Sequence, residues 1–507
     1  MRIKYWCWMI FAGALLSGCQ EGDNPHDMPY AENWESLEKH QAAPEWFRNA
    51  KLGIYFHWGV YTVPAFGSEW YPRQMYLPGT RENAHHLEMY GPVENFNYHD
   101  FVPEFKAEHF DPKAWVQLFQ KAGARFIGPV AEHHDGFSMW ASRVTPWNSL
   151  NEGPHRDVAG ELASEARQHG LKFITTFHHA RNLQRYRGVN QEEELAKPNP
   201  YPNSHYPFLA GTGPASDDDK LKYLYGNIPE EQWLEEVWLG KLKEVVDNYQ
   251  PDIMWFDSWL DQIPEIYRQR FCAYYLNQAA AWDKEVVLVR KQDDLPLSFT
   301  IDDFEKSRKS QMDTAVWMTD ETISTGSWCY TEGLQIKPAA ELIRVLIDIV
   351  SKNGVLLLNI SPRADGIIPD DQQETLLGIG AWLERYGEAI YETRPWITYG
   401  EGPTVEPEGG FAEHQAFLKI RYTNQDIRYT TKGRNLYAMV LGAPADTVHL
   451  TALNKVRTTK NIEQIELIGS QEPVTWEWSD NGLKISIPPH PVDTAAIVYR
   501  IVFHEKQ

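Results

Sequence analysis

Between residues 44 and 396, apolar positions recur in two alternating ways. Short runs rich in Val, Ile, Leu, Phe and Trp stand at 52–58, 125–133, 172–178, 252–257, 285–291, 315–319 and 355–360. Near-continuous apolar runs of this length suit strands covered on both faces. Between them, 112–122, 158–169, 230–249, 264–282 and 338–352 carry apolar residues at helical spacing, and several open with Pro, whose missing N–H is harmless in a first turn. Strands alternating with helices predict an α/β fold with a parallel sheet, here most of a (β/α)8-type, TIM-like barrel. After Trp396 the helical spacing stops. Short runs at 415–422, 435–440 and 483–487 alternate with turn residues and predict a C-terminal all-β sandwich over 397–507, about a hundred residues.

Two irregular stretches, 61–106 and 180–227, are rich in Pro, Gly, Asn, His and Tyr. Each follows the C-terminal end of a predicted strand, where barrel loops build pockets.

The N-terminus reads separately. Arg2 and Lys4 precede an apolar run from Trp6 to Leu16 that is too short for an ordinary membrane span, and Leu16-Ser17-Gly18-Cys19 follows. This is the pattern of a bacterial lipoprotein signal, cut before a cysteine that then carries lipid. It divides the chain into a signal (1–18), a tether (19–43), a barrel (44–396) and a β-sandwich (397–507). The expectation is an exported lipoprotein, periplasmic or on the cell surface, anchored through Cys19. An ordinary secretory peptide with a chance cysteine is the alternative.

Composition narrows the partners. With 48 Lys and Arg against 70 Asp and Glu, the net charge of -22 repels nucleic acid and anionic surfaces. A hydrophobic fraction of 42% is enough to bury a core without a metal or disulfide staple. Cys7 lies in the signal, which leaves Cys272 as a packing residue and Cys329 with no nucleophile pattern around it; a bridge between the two stays open. The 20 Trp lean toward carbohydrate, since indole faces pack on sugar C–H faces. No pattern fixes an oligomeric state.

Chemistry gathers at the predicted strand ends: His57-Trp58-Gly59, then Glu132-His133-His134-Asp135-Gly136-Phe137, then His178-His179, then Trp255-Phe256-Asp257. Barrel interiors are apolar, so titratable groups at this rim point to a site. Histidines on several strands can be read as metal ligands. His133 and His134, however, would face opposite ways on an extended strand unless it ends there, and His57 lacks an alternating partner. Hydrogen bonding to hydroxyls is the stronger reading, with no metal or cofactor expected. Asp257 closes an apolar strand and could be a nucleophile or the cap of the following helix.

These segments carry a resemblance. Trp46-Phe47-Arg48-Asn49-Ala50-Lys51-Leu52-Gly53-Ile54-Tyr55-Phe56-His57-Trp58-Gly59, Ser68-Glu69-Trp70-Tyr71, His133-His134-Asp135-Gly136-Phe137, Trp255-Phe256-Asp257, and Asn353 to Ile360 with Gly387-Glu388-Ala389-Ile390-Tyr391 follow in order. Over about 44–396 the chain resembles the glycoside hydrolase family of retaining α-L-fucosidases. The resemblance implies exo-acting release of terminal α-L-fucose from an oligosaccharide or polysaccharide through a covalent glycosyl-enzyme. It implies Asp257 as nucleophile and, within Ile301-Asp302-Asp303-Phe304-Glu305-Lys306, Glu305 as acid/base, with Asp302 and Asp303 as rivals. It also carries sugar binding onto His57, Glu69, Trp70, His133, His134 and Trp255, with Trp58 and Trp328 as aromatic walls. Two departures stand out: Thr175-Thr176-Phe177-His178-His179 where members show a Tyr-containing run, and Arg290-Lys291 where members place one arginine. They keep an α-L-galactosidase, or a fucosidase on algal polysaccharide, open as alternatives, and a glycan-binding lipoprotein without catalysis as an alternative of another class.

Overall fold

The structure is a computed structural model of the 507-residue chain and describes residues 28–504 apart from 94, 182–219, 227, 411–413, 444–446, 457–460 and 488–492. Cys19, the signal and the first part of the tether lie outside the described residues. From Tyr30 onward the expected tether is fastened to the barrel. The Tyr30 amide donates to Asn277 Oδ1 (3.0 Å), and Asn277 Nδ2 donates back to the Tyr30 carbonyl (2.8 Å).

Eight strands form one parallel sheet: β1 (Leu52–Phe56), β2 (Phe126–Glu132), β3 (Lys172–Phe177), β4 (Ile253–Phe256), β5 (Val287–Arg290), β6 (Ile301–Asp302), β7 (Trp317–Thr322) and β8 (Gly354–Ile360). The order β6-β5-β4-β3-β2-β1-β8-β7 is brought to near closure by a bridge between Asp303 and Met318. Seven of these strands follow the apolar runs. β6 does not, because two residues are too few to show a period.

Side chains alternate across each strand, and both faces are buried. Tyr55, Ile174, Ile253, Trp255, Val289 and Leu357 fill the barrel interior. Their neighbours Ile54, Phe56, Phe173, Met254, Leu288 and Leu358 pack outward with the helices. Gly128 sits where β2 and β3 touch: a Cβ there would lie 1.7 Å from the Ile174 carbonyl oxygen.

The expected helix over 230–249 is three consecutive segments: a short turn Glu230–Gln232, a wide π-helical stretch Trp233–Leu239, and an α-helix Gly240–Tyr249. The Trp238 carbonyl in the wide stretch lies 3.3 Å from His179 Nε2.

β9 (Arg394–Glu401), β10 (Ile427–Lys432), β11 (Asn435–Val440), β13 (Ile462–Leu467) and β16 (Ile497–Phe503) form one antiparallel sheet, and β12 (Thr447–Leu450), β14 (Trp476–Ser479) and β15 (Gly482–Ser486) a second. Both contribute to one core that includes Tyr429, Leu436, Leu450, Ile485 and Tyr499. The strand expected over 415–422 is absent. A short helix His414–Phe417 stands there, and Phe417 and Tyr422 both cover Arg308. Five residues apart, they could not share one face of a strand.

Candidate active site

Strand parity builds the rim of the site. The register pairs Thr176 with Trp255, Trp255 with Val289, and Val289 with Ile301. Two residues further along each strand, His178, Asp257, Lys291 and Asp303 follow side by side on the inward parity. On the same basis β1 delivers His57, β7 delivers Asp320 and β8 delivers Asn359. Each inward row thus changes from apolar to polar at its C-terminal end, where barrel loops leave room for a ligand.

Lys291 Nζ lies 3.3 Å from Asp257 Oδ1, 2.7 Å from Glu305 Oε2 and 3.4 Å from Asp320 Oδ2. One ammonium touching both carboxylates bounds those Asp257 and Glu305 oxygens to within about 6 Å of each other. Asp257 Oδ2 also accepts from Arg181 Nε and Nη2, both at 3.3 Å, and faces His134 Nε2 at 3.5 Å. Burial alone would raise the Asp257 carboxyl, but the attraction of Lys291, His178 and Arg181 outweighs it and holds the group well below the usual carboxylate range. Burial keeps His178 itself neutral, so the lasting positive charges are Lys291 and Arg181. The same carboxylates hold Lys291 charged despite its burial.

The two rivals of Glu305 are placed differently. Asp302, on the outward parity, accepts from Arg290 Nε at 2.6 Å. Both Asp303 oxygens are sealed from solvent; burial and the neighbouring Asp320 raise its carboxyl, so it keeps its proton. Asp320 stays ionised, accepting from Tyr55 (2.9 Å) and facing Lys291. Glu305 lies on the turn after β6, where Lys291 ties it to Asp257; Asp302, Asp303 and Glu305 all line one open cavity of about 550 Å³.

His57 is fixed by Asn359, whose Oδ1 accepts from the His57 amide (3.0 Å) and faces Nδ1 at 2.8 Å. Asn359 Nδ2 donates to the Trp328 carbonyl (2.7 Å) and Thr322 Oγ1 (3.0 Å), so its oxygen must be the acceptor. The His57 proton therefore sits on Nδ1, and Nε2 presents a lone pair. Burial lowers His57 to about 4, which keeps it neutral.

β2 ends at Glu132, so His133 and His134 lie beyond the strand. Their rings stack at 4.2 Å and 12°, and both join the site. Trp70 meets His134 edge-on at 4.7 Å, and Arg181 lies 5.0 Å over the Trp70 ring. Trp328 stacks on His57 at 5.3 Å. Glu69, on the loop before Trp70, accepts from Ser327 Oγ (3.4 Å), and burial raises its carboxyl against the pull of Lys306. The fully buried Trp255 stands 5.3 Å from His178, and its Nε1–H has no acceptor among the described residues.

Trp58 is not a wall of the site. It packs on Phe105, Phe110 and Trp115, and its Nε1 donates to the Arg363 carbonyl at 2.7 Å. Parity explains this: it is the outward neighbour of His57. Cys272 and Cys329 are both free and buried, and burial pushes the Cys329 thiol up, away from nucleophilic reactivity. His57, His133 and His178 bring ligand atoms within 4.8 Å of one another. A tetrahedral ion holds nitrogens at about 2.0–2.1 Å, so at the full 4.8 Å spacing the rings would have to draw together to share one.

His178, Arg181, Lys291, Asp320 and Asn359 complete the rim; the sequence placed His178 at a strand end and offered Lys291 beside Arg290 without assigning either a role, and it did not single out the other three. For all but Arg181, counting by twos reaches them once the structure shows which apolar residues of each strand face inward. Of the two candidates after β5, Lys291 faces the site and Arg290 does not.

The family model described as α-L-fucosidase matches residues 18–388, and that of the α-L-fucosidase C-terminal domain matches 421–504. The chain is similar to tissue α-L-fucosidase of Homo sapiens (31% identical, covering 91% of this chain and 88% of the relative). It is similar also to that of Rattus norvegicus (30%, covering 96% and 95%). Among solved structures it is similar to the Thermotoga maritima α-fucosidase in complex with fucose (TM-score 0.71, 27% identity, 93% of this chain and 100% of that one). The same enzyme with a mechanism-based inhibitor gives a TM-score of 0.72 at 27% identity and the same coverage.

Proposed function

The chain belongs to the α-L-fucosidase family of glycoside hydrolases, and on that premise we propose that it releases terminal α-L-fucose with retention, Asp257 acting as nucleophile and Glu305 as acid/base. The observation that carries the reading is the single lysine Nζ touching both carboxylates. Retaining enzymes set their carboxyl pair about 5–5.5 Å apart, whereas inverting ones need about 6.5–9.5 Å to admit a water. The fucose complex of the similar Thermotoga maritima enzyme supports the choice of sugar.

In the first step an Asp257 oxygen attacks the anomeric carbon, the bond to the leaving oxygen breaks, and Glu305 gives that oxygen its proton. In the second, Glu305 takes a proton from water, the water oxygen attacks the same carbon, and Asp257 leaves as carboxylate. Arg181 and Lys291 keep Asp257 ionised and aimed. Neutral His57 offers Nε2 to a sugar hydroxyl, and the Trp255 N–H is a donor in want of an acceptor. Glu69, Trp70, His133, His134 and Trp328 are assigned to sugar binding.

Asp257→Gly should abolish turnover of an aryl α-L-fucoside in folded protein, and Glu305→Ala should be partly rescued by azide. Ordinary turnover in the first variant, or equal loss on good and poor leaving groups in the second, would overturn the roles. Assaying aryl α-L-galactoside alongside decides the sugar; faster cleavage of the galactoside would move the substrate.

We also infer that Cys19 carries a lipid anchor on an exported protein. The support is Leu16-Ser17-Gly18-Cys19 after a short apolar run that follows Arg2 and Lys4. Cys19→Ala should move the protein out of the membrane fraction, and unchanged partitioning would refute it.

A further inference from the structure

The turn that carries Glu305 is held from two sides. On one side β7 pins it: the Phe304 amide donates to the Met318 carbonyl (3.0 Å) and the Lys306 amide to the Asp320 carbonyl (2.8 Å), with Lys306 in the left-handed region at φ 46°. On the other side lies the C-terminal part of the chain. The Gly410 amide donates to Ser307 Oγ (3.1 Å), and Gly409 runs so close that a Cβ there would lie 2.4 Å from the Arg308 carbonyl oxygen. Gly410 also lines the cavity onto which Glu305 opens.

Arg308, three residues after Glu305, enters a fully enclosed ion cluster. Its Nε lies 3.2 Å from Glu406 Oε1 and 3.3 Å from Asp348 Oδ2, and its Nη2 donates to the Tyr422 hydroxyl at 3.2 Å. Asp348 is shared with Lys352 (2.8 Å) and with Arg428 of β10 (2.6 Å), and Glu406 is also held by Lys352 and Tyr422. Three cations thus surround two carboxylates, and none of the five side chains is more than 4% exposed. Breaking a buried pair by removing one partner leaves an uncompensated charge, so the cluster is a stiff joint. It sits at the root of the turn that must present a proton within hydrogen-bonding reach.

We propose that Arg308 and Glu406 are positioning residues for Glu305, so that the connection between β9 and β10 of the C-terminal sheet sets the geometry of proton donation. This rests on the reading of Glu305 as acid/base. Neither residue touches substrate; both act through the turn.

The test compares kcat/KM of wild type, Glu406→Gln, Glu305→Ala and the double variant on two substrates. One is an aryl α-L-fucoside with a good leaving group; the other is a fucosyl disaccharide, whose leaving alcohol needs protonation. Proton transfer contributes about 10²- to 10⁴-fold, so partial misplacement of the donor should slow the disaccharide about tenfold through kcat, KM unchanged. The aryl fucoside should lose less than about twofold, and Glu406→Gln should lose nothing further in the Glu305→Ala background. Equal loss on both substrates, or full additivity in the double variant, would overturn the proposal. Ser307→Ala, which removes one bond and no charge, should show the same selectivity at smaller size and decides the matter if Glu406→Gln fails to fold. If Glu305→Ala alone shows no leaving-group dependence and no azide rescue, the reading of Glu305 fails instead.

Discussion

Lys291 is where one substitution reports on both charge and chemistry. In Lys291→Met the buried site keeps the length of the side chain and loses the ammonium that touches Asp257, Glu305 and Asp320. At 3.3 Å and an effective dielectric of about 20, one such pair attracts by about 5 kcal/mol before desolvation is subtracted. Removing one partner of a buried pair costs about 3–5 kcal/mol, and because Asp257 keeps Arg181 the loss of stability at pH 7 should fall in that range. The sign for activity follows from Asp257. Its carboxyl is depressed when folded, so the stabilisation it brings is present above the ordinary carboxylate value near 3.8 and is lost as pH falls. In wild type, therefore, Asp257 stays ionised wherever the enzyme is assayed. Without Lys291 the upward push of burial meets weaker opposition, chiefly Arg181 and the Ser258 amide, and the carboxyl should rise toward the pH range of the assay. The pH dependence of kcat/KM on an aryl α-L-fucoside, with thermal denaturation alongside, checks both. An acid limb unmoved in the variant, with stability within about 0.5 kcal/mol of wild type, would refute the reasoning, as would failure of Lys291→Arg to recover either.

His57 is neutral down to about pH 4, so fucose affinity measured by calorimetry should be flat from pH 7 to pH 5 and fall only as Nε2 gains a proton below that; loss centred near 6.5 would contradict it. The same depression means that stability conferred by neutral His57 is present above its unfolded value of 6.5 and declines as pH falls from there toward 4. Asn359→Ala should weaken fucose binding and cost about 1–3 kcal/mol of stability by removing the oxygen that accepts from the buried His57 amide and holds its ring; full affinity with unchanged melting would count against it. Gly128→Ala should prevent folding, since a Cβ 1.7 Å from a carbonyl oxygen forces β2 and β3 apart, and a soluble active variant would show that the strands can give way.

The motifs at the strand ends were legible because short-range constraints fix them. An apolar run buried on both faces must end where the sheet meets solvent, and the polar residues there stand out against it. That logic reached His57, His133, His134, Trp255 and Asp257. It misjudged Trp58, because a run of sequence does not show which of two adjacent residues faces inward. It left Lys291 undecided against Arg290 and passed over Asn359, whose charge or amide means little until strand register sets it beside Asp257 or His57. The missing strand at 415–422 belongs with these, since Phe417 and Tyr422 were committed to a cation on a distant turn.

The sequence by itself determined the alternation of strands and helices, the C-terminal β region and the family resemblance, all of which live in local periodicity and ordered motifs. Tertiary structure decided the rest: that Lys291 bridges Asp257 and Glu305, that Asp303 keeps its proton beside Asp320, and that Arg308 is tied to Glu406 ninety-eight residues away. Coulomb energies and hydrogen bonds depend on distance and burial, and those are set by packing between elements far apart in the chain.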